Sequence, residues 1–250
     1  MSSEESGRSI NQATAQAGTD ELRSWLQAEG NNDEALLGSG YQGSAYYFDG
    51  SAGPSVVKMP NAGGLLGTFQ GRMIRREYSI YQRLQGIAGV PQCYGLIDGK
   101  YLVLEFVEGA HLKEQLYEMR DNEAFYAELL EVLHRCHAVG IAHGDLKRRD
   151  NVIVTSDNQP CVIDFGTAVV SASRKGLLFK LVRRLDYNSW IKLKYRADTE
   201  AISDADLQWY QPLLLEKMAR GLRRFYRAVT FRQQRKARRR AREADDTQQR

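Results

Sequence analysis

Residues 141–168 read Ile-Ala-His-Gly-Asp-Leu-Lys-Arg-Arg-Asp-Asn-Val-Ile-Val-Thr-Ser-Asp-Asn-Gln-Pro-Cys-Val-Ile-Asp-Phe-Gly-Thr-Ala, and the fold is decided there. Two β-type runs, Val152–Thr155 and Pro160–Ile163, flank Ser156-Asp157-Asn158 and predict a small hairpin. His143, Asp145, Lys147 and Asn151 lie just before it, and Asp164-Phe165-Gly166 comes just after. Closing the hairpin brings Asp145, Asn151 and Asp164 to one end of it. Two carboxylates and an amide oxygen are hard ligands, suited to a Mg²⁺ ion that phosphates also hold.

Composition narrows the class. The 250 residues are 42% hydrophobic and 26% charged, ordinary values for a soluble globular chain with room for a real core. No apolar run approaches the ~20 residues that span a bilayer. Met1–Gly18 is rich in Ser, Gln and Ala without an apolar centre, so disorder is expected there and a secretory signal is not. Three unpatterned cysteines, Cys93, Cys136 and Cys161, point to a reduced, cytosolic setting. His134, Cys136, His137 and His143 fit no zinc spacing and are read as a helix surface plus one structural loop histidine. The net charge of +4 hides an asymmetry: Lys217–Arg242 carries twelve Lys or Arg and no acid, so setting those twelve aside leaves −8.

The His-Gly-Asp loop and the Asp-Phe-Gly, in this order and a hairpin apart, resemble the protein-kinase-like superfamily. The resemblance implies an α+β, two-lobed fold, with an antiparallel-sheet N-lobe and a small, mainly helical C-lobe. It makes Asp145 the group that accepts the acceptor hydroxyl's proton, and Lys147 the neutraliser of charge on the transferring group. Two departures stand out. Gly144 sits where most regulated protein kinases carry an arginine; His-Gly-Asp is also found in aminoglycoside- and choline-type kinases. The loop is one residue long: the family's Asn falls five after its Asp, which here is Asp150, yet Asn151 keeps the distance of thirteen to Asp164. Asn151 and Asp164 are therefore expected to ligate the metal, with Asp150 in reserve.

Outside this centre, Thr19 or Asp20 caps a short docking helix to about Ala28, with Leu22, Trp25 and Leu26 on one face. Gly38, Gly40 and Gly43 form G-x-G-x-x-G ahead of two strand-like runs, Ser44–Phe48 and Ser55–Met59. That places the glycines at a hairpin tip, as in the kinase loop whose backbone N–H groups cover ATP phosphates. Lys58 ends the second strand, and Glu77 comes nineteen residues later in a helical stretch, Arg72–Leu84; the resemblance pairs them so that Lys58 meets the α- and β-phosphates. The Gly-rich run 61–71 is expected to be a mobile link. Gln92–Ile97 and Lys100–Phe106 form a hairpin turned by Asp98-Gly99. Its end resembles the kinase hinge, with backbone at Glu105 and Val107 for adenine and Leu104 guarding the pocket behind. Leu112–Met119, Glu123–Ala138, Leu177–Leu193 and Asp206–Tyr226 read as helices. Asp186, followed by Trp190, is a candidate for the family's buried helix aspartate that braces the catalytic loop. Pro212 is the only proline beyond Pro160, so no Ala-Pro-Glu peptide-docking anchor is present.

These features divide the chain into a flexible N-terminus with docking helix (1–30), an ATP-binding N-lobe (31–106), a reduced C-lobe with catalytic loop and metal site (107–212), and a basic C-terminal helix and tail (213–250). The expected function is ATP- and Mg²⁺-dependent transfer of the γ-phosphate to a hydroxyl, leaning to Ser/Thr protein kinase activity. The reduced lower lobe is similar to lipopolysaccharide core sugar kinases and Rio-type kinases, which makes a lipid-linked sugar the alternative acceptor. A pseudokinase scaffold is disfavoured because Lys58, Asp145 and Asp164 are all present. A nucleic-acid partner is not expected, the tail lacking a recognition module. In Lys217–Arg242, Leu222, Phe225, Tyr226 and Val229 alternate with arginines, a pattern suited to an anionic membrane surface or to packing on the lower lobe. The expected location is cytoplasmic, with a peripheral position at the inner membrane face as its variant.

Overall fold

The computed structural model describes residues 18–27, 33–196, 198 and 200–211. The expectations for the N-terminal segment and for Lys217–Arg242 fall outside them. The first half of the described chain is a five-stranded antiparallel sheet: β1 (Leu36–Gly40), β2 (Gly43–Gly50), β3 (Gly53–Met59), β4 (Cys93–Ile97) and β5 (Tyr101–Glu105), in the order β1-β2-β3-β5-β4. Each strand alternates its side chains between two faces, and both faces are covered. Residues 18–27 form helix α1, whose Leu22 packs with Phe48, Val57 and Val103 on one face. The other face, with Leu102 and Leu104, receives α2 (Gly64–Leu84) through Ile74, Ile80, Tyr81 and Leu84. The β4–β5 hairpin turns at Asp98 and Gly99, both at positive φ, in keeping with the Asp-Gly signal.

The second half is built on α3 (Glu123–Ala138) and α4 (Leu177–Lys194), with α5 (Asp204–Leu207) a single turn. Helix α3 buries Phe125, Leu129, Val132, Leu133 and Cys136 on one stripe, and Asn122 caps it by accepting the Phe125 N–H. Trp190 of α4 is buried and donates its indole N–H to the Tyr126 carbonyl at 2.7 Å. Two small sheets carry the loops: β6 (Gly109–His111), β8 (Val152–Thr155) and β9 (Pro160–Val162) in one, and β7 (Ile141–Ala142) with β10 (Val169–Val170) in the other. A continuous core runs from Ile74 and Tyr81 through Phe165 and Val154 to Trp190. The three cysteines are free and buried, and burial pushes the Cys136 and Cys161 thiols up to about 12. No helix among the described residues is long and apolar enough to cross a membrane.

Two expectations need correction, and a third is described only in part. Leu112–Met119 is a string of turns, because the Leu112 N–H is bound to the Val152 carbonyl as an extension of β6 and cannot open a helical ladder. The run 61–71 is not a free link: α2 begins at Gly64. Buried Gln70 holds the entry by accepting the Asn61 and Ala62 N–H groups and donating to Asn61 Oδ1. Glycine is required at Gly67, since a Cβ there would overlap the Ala62 carbonyl oxygen. Of the expected helix Asp206–Tyr226, the described part is the end of α5 and a turn, and the remainder lies outside the described residues.

Lys194 locks the helices of this half together, with Nζ 2.6 Å from Glu123 of α3 and 2.7 Å from Asp206 of α5. Burial opposes charge on Lys194 and on Asp206, but their mutual hydrogen bond prevails, holding the lysine above and the aspartate below their ordinary values. The depressed Asp206 stabilises the fold above its ordinary value of 3.8, and that stability is lost as pH falls through the folded value. The raised Lys194 stabilises below 10.5, and its share is lost as pH rises through the folded value. Lys194→Met should therefore lower unfolding free energy by about 1–3 kcal/mol near neutrality. In urea titrations the variant should also lose less stability than the parent between about pH 5 and pH 2.

Candidate active site

Lys58 stands on β3, paired on one side with Ala45 and on the other with Leu102. Its Nζ reaches Glu77 Oε1 of α2 at 2.6 Å and Asp164 Oδ1 at 3.0 Å. Glu77 is buried on the same helical face as Ile74, Ile80 and Tyr81, so packing of α2 fixes the carboxylate. Burial opposes the Lys58 charge, but the two carboxylates overcome it and hold the ammonium above its ordinary value. Burial pushes the Glu77 carboxyl up, against the pull of Lys58. Desolvation also works against charge on Asp164, but Lys58 outweighs it and holds the carboxyl below its ordinary value, so it is ionised at neutral pH.

Asp164 adopts left-handed backbone, φ 63°, a strained state for a non-glycine residue. The residues after it are clamped. Phe165 is buried between Tyr81 and His143, with ring centroids at 5.5 and 4.8 Å. Arg76, one residue before Glu77, donates to the Gly166 carbonyl at 3.0 Å and to the Ala168 carbonyl. Helix α2 and the Asp-Phe-Gly turn are thus tied at two places, through Lys58 and through Arg76. No local pattern announces Arg76, whose partners are at least ninety residues away.

The catalytic loop hangs on Asp186 of α4, which is fully buried. One carboxylate oxygen accepts the His143 backbone N–H at 2.8 Å, and the other accepts that of Gly144 at 2.8 Å. His137 Nε2 lies 3.0 Å from the same carboxylate. Gly144 has φ +83°, and a Cβ there would press on Val182 at 3.3 Å, which accounts for glycine at this place. His143 is fully used: Nε2 faces the Ile163 carbonyl at 2.9 Å, and Nδ1 accepts the Asp145 N–H at 3.2 Å. With both nitrogens engaged, its ring braces the loop.

Asp145 is half-buried, with Lys147 Nζ 4.0 Å from its Oδ1 and exposed. Asn151 is buried; its Nδ2 donates to the Asp145 carbonyl at 3.0 Å, and its own carbonyl accepts the Ile163 N–H at 3.0 Å, next to Asp164. With its Nδ2 and backbone carbonyl engaged, Asn151 keeps Oδ1 as the atom that could hold a metal. Asp150 is turned away, its carboxylate 3.5 Å from Lys113. Among the described residues no group of three or more His, Cys, Asp or Glu forms a metal cage. One carboxylate and one amide oxygen fit Mg²⁺, which keeps waters and phosphate oxygens as its remaining ligands.

The glycine-rich turn lies above. Gly40 pairs with Gly43 across Tyr41-Gln42, and all of β1 is exposed. Only Gly43 is sterically forced, with φ +127° and the Met59 carbonyl oxygen where a Cβ would sit; Gly38 and Gly40 face open space. Gln42 at the tip lies directly over Gly166, a contact the sequence does not reveal. Behind, Leu104 is buried and Val107 half-buried, while the Glu105 N–H is bonded to the Gln92 carbonyl at 2.9 Å. Of the two positions expected to form the hinge, the Glu105 amide is thus occupied by the sheet.

Sequence comparisons agree with this geometry. A model of the protein kinase domain matches residues 32–198. The chain is 31% identical over 153 residues to CBL-interacting protein kinase 28 of Oryza sativa subsp. japonica, covering 57% of this chain and 35% of that one. It is 32% identical over 106 residues to calcium-dependent protein kinase 12 of the same plant, covering 38% and 20%. With serine/threonine-protein kinase cds1 of Schizosaccharomyces pombe the identity is 33% over 106 residues, covering 39% and 23%. The matches thus span about a third or less of those relatives' own lengths. With the family model covering most of the chain, and the Lys58–Glu77 pair, catalytic loop and Asp-Phe-Gly assembled at one site, this chain belongs to the protein kinase family.

Proposed function

We propose that the protein is an ATP- and Mg²⁺-dependent kinase that transfers the γ-phosphate to an acceptor hydroxyl, with serine or threonine of a protein as the favoured acceptor. The observation that carries this is Lys58 bound at once to Glu77 and Asp164, with Asn151 bonded both to the Asp145 carbonyl and to the Ile163 N–H next to Asp164. Phosphoryl transfer needs positioning and neutralised charge more than covalent chemistry. When bound, Mg²⁺ would supply positive charge that offsets that of the phosphates. Asp164 and the Asn151 amide oxygen would hold that ion, and Lys58 would meet the α- and β-phosphates. Asp145 would accept the hydroxyl proton and aim its oxygen. Lys147 would lie beside the transferring group; together with the Ser/Thr kinase among the relatives, it supports the favoured acceptor.

One observation favours a second acceptor. After Gly166 the chain passes through β10 straight into α4, without proline between residues 161 and 211. The segment that docks peptides in typical protein kinases has no counterpart among the described residues, which suits a lipid-linked sugar such as a lipopolysaccharide core. Labelled ATP with Mg²⁺ and either protein substrates or lipopolysaccharide decides between them. Label in protein supports the first reading, label in lipopolysaccharide the second, and label in neither with no ATP consumption refutes both.

Asp145→Ala should lower kcat by about 10²–10⁴-fold, the usual contribution of a positioned acid–base group, with the thermal midpoint unchanged within a few degrees. Near-normal turnover at saturating Mg²⁺ and ATP would remove Asp145 from its role. In Mg²⁺ titrations of ATP consumption, Asn151→Ala should raise the half-saturating concentration at least about tenfold, roughly 1.4 kcal/mol, and Asp150→Ala should leave it within about twofold. The reverse ranking would assign the metal to Asp150.

A further inference from the structure

The first turns of α4 present a surface that phosphoryl transfer does not use. Leu177, Leu178 and Leu181 are 85%, 61% and 41% exposed, while Phe179 and Val182 of the same turns are buried. These three leucines lie on one side of the helix, with Lys180 and Arg183, both exposed, on its flank. Leu178 also lines a groove with Val169, Val170 and, from α2, Arg76, Ser79 and Arg83. From Gly166 to Leu185 the chain carries Arg174, Lys175, Lys180, Arg183 and Arg184 and not one acidic residue. Exposed leucines in a consistently basic setting are the pattern of a helix that lies in the headgroup region of an anionic bilayer.

We propose that this face of α4 is a docking surface for an anionic phospholipid membrane. The charge tells against two other occupants, the basic segment 217–242 and a second copy of the chain. The described residues end beside α4 at Gln211, whose carbonyl accepts the Asn188 amide at 2.9 Å, and the sequence beyond holds twelve basic and no acidic residues over 217–242. Laid on α4, that segment would meet like charge. A second copy would do the same, because a two-fold interface sets the same basic residues against themselves. A nucleic acid would answer the charge and leave the leucines in water.

The surface adjoins the catalytic loop. Val182 lies against Gly144, and the Thr167 hydroxyl donates to the His143 carbonyl at 3.2 Å. Docking through Leu177 and Leu178 therefore engages the helix whose buried face packs on the loop that carries Asp145. The surface stands apart from the acceptor assignment, since vesicle binding is read without turnover.

The test is co-sedimentation of the whole 250-residue chain with phosphatidylcholine vesicles, with and without phosphatidylglycerol. The parent should bind only the anionic vesicles. Leu177→Ser/Leu178→Ser should lower the partition coefficient about tenfold at both low and high salt, because the lost contribution is apolar. Lys180→Glu/Arg183→Glu should weaken binding chiefly at low salt, where charge is unscreened. Both variants should keep the parent's thermal midpoint. A parent that ignores anionic vesicles, or a serine variant that binds them as the parent does, would overturn the proposal. So would a serine variant with unaltered vesicle binding but a smaller sedimenting mass, which would make the face a self-association surface.

Discussion

A single buried carboxylate organises the catalytic half of this protein. Asp186 is removed from water, a change that costs several kcal/mol unless the charge is met by hydrogen bonds. It is met from three directions: the backbone N–H groups of His143 and Gly144, and the His137 ring. Charge-assisted bonds of this kind are short and about twice as strong as neutral ones. They fix the backbone just before Asp145, and His143 then passes that order on to Ile163, next to Asp164. Helix α4 is therefore the frame from which the catalytic loop is suspended.

The second constraint is the bridge from α2 to the Asp-Phe-Gly turn. Lys58 joins β3, α2 and Asp164, and Arg76 joins α2 to Gly166 and Ala168. Phe165 packed against Tyr81 fills the space between them. Sheet, helix and Asp-Phe-Gly turn are thus held in register by side chains of this chain. Gly144 stands where an arginine would read a phosphate in regulated kinases, and residues 167–176 pass directly into α4.

Much of this architecture is legible in the amino-acid sequence. The hairpin of β8 and β9, the Asp98-Gly99 turn and α3 follow from local rules of pairing, turn chemistry and apolar spacing. The Lys58–Glu77 pair is legible because a family pattern supplies a distance that local rules do not contain. The features that escape such reading depend on tertiary partners. Leu112 looks helical, but its N–H belongs to Val152. The glycines of 61–71 suggest a loose link, but buried Gln70 turns that run into the start of α2. Asp186 has only a loose spacing to recommend it, because its partners in the catalytic loop lie more than forty residues away and are backbone groups. Arg76 and Gln42 carry no local signal at all.

If the assembled site transfers phosphate as it stands, it needs no modification to be active. The most direct measurement is the rate of γ-phosphate release from ATP with Mg²⁺ by phosphatase-treated protein, set beside Lys58→Met treated alike. Turnover is expected in the treated parent, with a loss of at least about 100-fold in the variant, worth about 2.7 kcal/mol of transition-state stabilisation. The variant's thermal midpoint should stay within a few degrees of the parent's. Turnover in Lys58→Met equal to the parent's, or none in the phosphatase-treated parent, would contradict this account.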